Sequence, residues 1–167
     1  MAATLTSRIQ LSLQATLSNP VGLASVNGTI EKSLLLAMAS GVGANQSDKI
    51  FSESAKSISG NYDVDLAGVL TDIFGALITF ARIKGIMLFA DSGNAGNVIV
   101  GAAAATVFFG PFGANTHTVN VRPGGALVFF APDATAWPVG AGATDFLRIA
   151  PSAGTVVFDW AVFGASA

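Results

Sequence analysis

The residues able to carry chemistry are few. His117 is the only histidine and there is no cysteine. A Ser-His-Asp relay needs its imidazole beside a serine on a strained turn, and no G-x-S-x-G is present. The setting ANTHTVN puts His117 just before a strand, hydrogen-bonded or hydrated. One imidazole without thiolates or other strong ligands does not assemble a zinc site. Asp63 and Asp65 stand two apart, so on a strand both carboxylates face one side. A hard cation or a glycosidase uses such a pair, but alternation with Tyr62, Val64 and Leu66 reads as the wet face of a half-buried strand. Asp72, Asp91 and Asp133 sit in turn contexts, where aspartate accepts from its own backbone. Gly41-Val42-Gly43 opens like a dinucleotide loop, yet the third glycine is missing at the required spacing. Pro123-Gly124-Gly125 reads as a turn. The expectation is no catalytic residue, no cofactor, no metal and no enzyme.

Elements must position whatever else the chain does, and its composition limits them. The 167 residues suffice for one domain with a sizeable core. Half of the residues are apolar (51%) and 11% are charged, against roughly 25% charged in an ordinary soluble domain. That excludes intrinsic disorder. The net charge is −2, and the four arginines and four lysines are scattered, so no nucleic-acid stripe is expected. The stretch 98–114 is uncharged, but Gly110-Pro111 and Gly113 break it and no basic cluster flanks it. It is read as non-membrane. Arg8 interrupts the first apolar stretch, so no signal peptide is expected.

Period-two patterning dominates. Leu5, Ile9, Leu11, Leu13, Ala15 and Leu17 alternate with polar residues, which predicts a strand with one wet face. Asn19-Pro20 is expected to end it, and Asn27-Gly28 to make a hairpin turn. Residues 29–40 suit a helix by the propensity of Leu34 to Met38 and a strand by alternation, and are read as a strand; 41–48 read as a loop and 50–58 as an edge strand. Helical turns are expected over 70–84, with Thr71-Asp72 as a cap, and the alanine run 102–105 is a helical turn or a loop. The continuously apolar 126–130 predicts a strand covered on both faces. Leu147 and Ile149 should oppose Arg148, and Val156, Phe158, Trp160 and Val162 should share a buried face. The fold expected is mainly β: a single-domain β-sandwich or jelly roll (1–167) of about nine or ten short strands with minor helical turns. Residues 1–18 belong to the sandwich or form an arm engaging a neighbouring subunit.

So apolar a chain lacks the charge that normally keeps a monomer's surface soluble. Phe108, Phe109 and Phe112 cluster among glycines, and Trp137 precedes a proline. With Leu5, Ile9 and Leu11 they are the candidate partner interface, since interfaces are rich in aromatics and poor in charge.

Several segments carry a resemblance: GVGANQSDKIFSE (41–53), DLAGVLTDIFGALITFARIK (65–84), GNAGNVIVG (93–101), VRPGGALVFFAPDAT (121–135), GAGATDFLRIA (140–150) and the closing FGAS (163–166). In this order they resemble a family of small virion proteins of tailed bacteriophages. The resemblance is weakest over residues 2–40. It implies a capsid decoration (cement) protein, made in the bacterial cytoplasm and carried on the capsid surface. Its partners would be the major capsid protein and copies of itself, as a homodimer or homotrimer. The alternatives are another virion part (tail, neck or fibre base) and a carbohydrate-binding attachment module using Tyr62, Trp137 or Trp160 as sugar platforms.

Overall fold

The computed structural model describes residues 4–22, 24–103 and 106–167. Its regular elements are all strands: β1 (Ser7–Val21), β2 (Ala24–Met38), β3 (Lys49–Ile58), β4 (Tyr62–Asp65), β5 (Leu70–Thr71), β6 (Leu77–Ile78), β7 (Arg82–Ala90), β8 (Val98–Gly101), β9 (Thr118–Val121), β10 (Ala126–Phe130), β11 (Trp137–Pro138), β12 (Phe146–Pro151) and β13 (Val156–Ala165). The expected mainly-β class holds. Thirteen strands replace the nine or ten expected, and no helix occurs among the described residues.

Two larger sheets build the body. One runs β10-β7-β13-β3, with β11 pairing β7 beyond β10, and the other runs β4-β12-β8-β9. All these pairings are antiparallel. The expected alternations explain the core. Val156, Phe158, Trp160 and Val162 of β13 are buried together with Val98 and Val100 of β8 and Leu147 and Ile149 of β12. These rows join Val64, Ile86 and Leu88 in one continuous hydrophobic cluster drawn from both sheets. Strand β10 corrects one expectation. It is an edge strand in which only Leu127 is fully buried, so residues 126–130 are not covered on both faces.

The N-terminal region departs most from the reading of its sequence. Strand β1 joins neither large sheet; it pairs along its whole length with β2, from Ser7 opposite Met38 to Val21 opposite Ala24. The arm is therefore a hairpin over 7–38, not a single strand ending at residue 18. Asn19-Pro20 does not end the strand, because Pro20 occupies a rung near the tip opposite Ser25. Nor do Asn27 and Gly28 form a turn; they pair with Ser18 and Leu17, and the pairing runs on to Val21 opposite Ala24, with Gly22 at a φ of 62°. Fifteen rungs at ~3.4 Å each make a ribbon ~50 Å long. Its root is pinned by Ile9 and Met38 against Phe163, flanked by Met87 and Phe130.

The region 70–84 is a second correction. A helical cap was expected at Thr71-Asp72. Instead β5 and β6 form a small hairpin, with Leu70 opposite Ile78 and Thr71 opposite Leu77. The Asp72 carboxylate accepts the Phe74 and Ala76 N–H groups at 2.8 and 2.9 Å, and Gly75 takes a φ of 80°. An aspartate that would cap a helix here closes a turn. Of the alanine run, Ala102 (φ 52°) and Ala103 lie outside regular structure, and 104–105 lie outside the described residues.

Candidate interaction surfaces

The arm is built so that one of its faces is apolar. Cross-strand pairs put Ile9 beside Leu36, Leu11 beside Leu34, Leu13 beside Lys32 and Ala15 beside Ile30. The opposite face carries Gln10, Ser12, Gln14 and Thr16 against Leu35, Ser33, Glu31 and Thr29. That polar face is cross-linked by Gln14 Nε2 donating to Glu31 Oε1 at 2.6 Å and by Ser18 Oγ donating to Asn27 Oδ1 at 2.6 Å. Beyond the root, the described residues of the apolar face stand open to solvent: Leu13 and Ile30 are exposed, and Leu17 is 79% exposed. A shallow groove of about 350 Å³ runs across it between Leu11, Leu13, Lys32 and Leu34.

A second apolar surface lies at the tip of the β5–β6 hairpin, where Ile73 and Phe74 are 89% and 77% exposed. Val69 and Leu77 flank them, also exposed. The turn beneath is held by the two Asp72 bonds, by Asp72 N–H donating to the Ala76 carbonyl at 2.9 Å and by Gly75 N–H donating to the Asp72 carbonyl at 3.0 Å. The result is a hydrophobic knob on a fixed base. The sequence reading missed it, because a helix would have turned these residues toward a core; DIFG, an Asx-turn aspartate before a glycine, was the available signal.

The candidate interface residues divide. Ile9 is buried at the arm root, Leu5 is half-buried and Leu11 is exposed on the apolar face. Phe108 and Phe112 lie inside the core of their own chain, and Trp137 is half-buried against it, stacked edge-on with Phe129 at 6.3 Å. Of that aromatic group, Phe109 presents itself to solvent.

The polar candidates are committed to the fold. His117 Nδ1 lies 2.7 Å from the Phe112 carbonyl, so the imidazole closes its own loop. Asp63 receives Arg148 Nε and Nη2 at 2.7 and 2.8 Å, joining β4 to β12 and raising the guanidinium's pKa. Asp65 accepts Ala67 N–H, Asp91 accepts Gly93 N–H, and Asp133 accepts Thr135 and Ala136 N–H. No cluster of three metal-ligating side chains occurs among the described residues.

Two further polar centres emerge that the sequence reading did not single out. Glu53 on β3 accepts Lys56 Nζ at 2.8 Å on one oxygen, and Tyr62 Oη at 2.8 Å and Trp160 Nε1 at 2.9 Å on the other. Lys56 also stands 4.1 Å over the Tyr62 ring. Burial pushes the Glu53 carboxyl up, but these three donors outweigh it and hold it below the usual carboxylate range. The cluster ties a strand of each large sheet together and uses two of the three candidate sugar platforms, Tyr62 and Trp160, in doing so. Lys84 on β7 is fully buried, and its ammonium donates to the Gly43 carbonyl at 2.6 Å and the Asp133 carbonyl at 2.7 Å. Burial, with Arg82 nearby, lowers its pKa. These bonds fasten the two loops around the arm root, 41–48 and 131–136, which also meet where Asn45 N–H donates to the Pro132 carbonyl at 2.7 Å.

No helix among the described residues is long and apolar enough to cross a membrane. Comparison with family models, with curated proteins and with solved structures finds no match to this chain.

Proposed function

We propose that this chain is a capsid decoration protein of a tailed bacteriophage, which binds the assembled head and staples adjacent shell subunits. The observation that carries the reading is the pairing of a body whose candidate chemical groups are hydrogen-bonded within the fold with apolar surface exposed on two hairpins. The polar side chains that could do chemistry are bonded to their own fold, whereas Ile73, Phe74 and the arm face have no partner within it. The resemblance of residues 41–53, 65–84, 121–135 and 140–150 to small virion proteins supplies the particle, and the all-β body is of the mainly-β class expected of such proteins. The segment 65–84 contains the knob, so the stretch carrying part of that resemblance also carries the most exposed aromatic side chain.

Ile73 and Phe74 act as anchors that enter an apolar pocket on the shell, where a few buried aromatic residues supply most of the binding energy. Many copies on one lattice multiply a modest contact, and binding only the assembled shell stabilises that shell by mass action. Genome pressure pushes subunits apart, and each added bridge opposes it. The test is sedimentation. The protein is expected to travel with mature heads and to be missing from isolated tails, and Ile73→Ser/Phe74→Ser should remove it from heads without unfolding it. Recovery in tails, or in neither fraction, overturns the reading.

A further inference from the structure

We infer that the apolar face of the arm is closed by the same face of a second copy of this chain, making the protein a closed homo-oligomer held through its arms. Three observations carry this. First, a two-stranded hairpin is at best marginal in water without a covered face, and this one runs fifteen rungs with only its root packed. Second, the exposed fractions of Leu11, Leu13, Leu17, Val26, Ile30 and Leu34 correspond to roughly 600 Å² of apolar surface per copy. That matches the upper end of the largest patch on ordinary monomers, ~300–600 Å², and most of the ~800 Å² each partner gives to a standard interface. Third, the face is self-complementary. Among its paired rows from Ile9 to Leu17 the single charge is Lys32, whose stem can lie along the ribbon with its ammonium at the rim. A long, narrow apolar face with one charge at its rim is best matched by another of equal length, and cyclic symmetry provides one without further invention.

The inference stands on the arm and does not depend on the shell reading, because oligomerisation is measured with no shell present. At 10 µM the wild-type chain should sediment as a dimer. Leu13→Glu/Ile30→Glu places charges in the buried face and should yield monomer, with the dissociation constant raised at least ~100-fold. Ser12→Glu/Ser33→Glu, on the opposite face, should leave the oligomer intact. A monomeric wild type overturns the inference, as does an oligomer that survives the first double variant. If that variant fails to fold, crosslinking decides, since the chain has no native cysteine. Position 13 lies near mid-ribbon and meets its copy whether the arms run parallel or antiparallel. Leu13→Cys should therefore oxidise to a covalent dimer at least ~10-fold faster than Gln14→Cys, which faces the other way. Equal rates overturn the inference. Loss of head binding by the Ile73/Phe74 variant with the oligomer retained would bear on the shell alone.

Discussion

Replacing Glu53 by alanine removes one acceptor from three donors at once, and the three losses differ. Trp160 is 2% exposed, so its indole N–H would be left without water or partner. An unsatisfied buried donor costs ~1–3 kcal/mol. Lys56 and Tyr62 are only partly buried and can rehydrate, so their lost bonds add at most ~1 kcal/mol together. The expected destabilisation is ~2–3 kcal/mol, and at ~2–4 °C per kcal/mol for a chain of this size the melting temperature should fall by ~5–10 °C. The effect has a pH signature. The folded Glu53 carboxyl sits below its unfolded value, so near pH 4 the unfolded state binds more protons. The stabilisation is complete above the unfolded value of ~4.3 and is lost as the pH falls through the folded one. Melting curves followed by circular dichroism should show a constant gap between wild type and Glu53→Ala from pH 8 to about 5, narrowing below pH 4. A gap under ~1 °C at pH 7, or one unchanged down to pH 3, refutes the argument that this carboxylate ties the sheets together.

Gly85→Ala should cost ~1–3 kcal/mol and expose the arm root to protease, because a Cβ there would lie 2.0 Å from Phe163 Cζ in the cluster that holds Ile9 and Met38. Lys84→Met should loosen loops 41–48 and 131–136 together, seen as faster amide exchange at Asn45 and Ala131, while the central β13 amides stay protected. Phe74→Ser should change stability by less than ~0.5 kcal/mol in chemical denaturation, since the side chain touches solvent. His117→Ala should cost no more than ~1 kcal/mol and leave head binding intact; its loss would reopen the question of chemistry at that residue.

What the sequence made legible was face, and what it concealed was partner. The alternation from Leu5 to Leu17 specifies a strand with one apolar side whether it packs on a body or stands on a ribbon. The hairpin turn was misplaced because Asn27-Gly28 is the stronger local signal. A turn there would give about ten rungs, 17–26 against 29–38, and leave residues 7–16 unpaired, whereas reversal after the Val21–Ala24 rung gives fifteen. Cross-strand pairing outweighed turn propensity. At Asp72 the failure has another origin: a carboxylate accepting the N–H two residues on serves a helix cap and a hairpin turn alike, and the second bond, to Ala76 four residues on, belongs to the turn. The rows Val156–Val162 and Leu147–Ile149 were readable since both faces of the pattern are unambiguous. Phe108 and Phe112 were not, because irregular loop backbone has no period from which to tell inside from outside. Glu53 and Lys84 were invisible for a similar reason: their partners lie up to 107 residues away along the chain.

The arm's single point of attachment makes it a lever. A rotation of about 5° at Phe163 carries the far end of a ~50 Å ribbon through about 4 Å. Adjustments too small to disturb the sheets are thus magnified into displacement at Pro20 and Gly22.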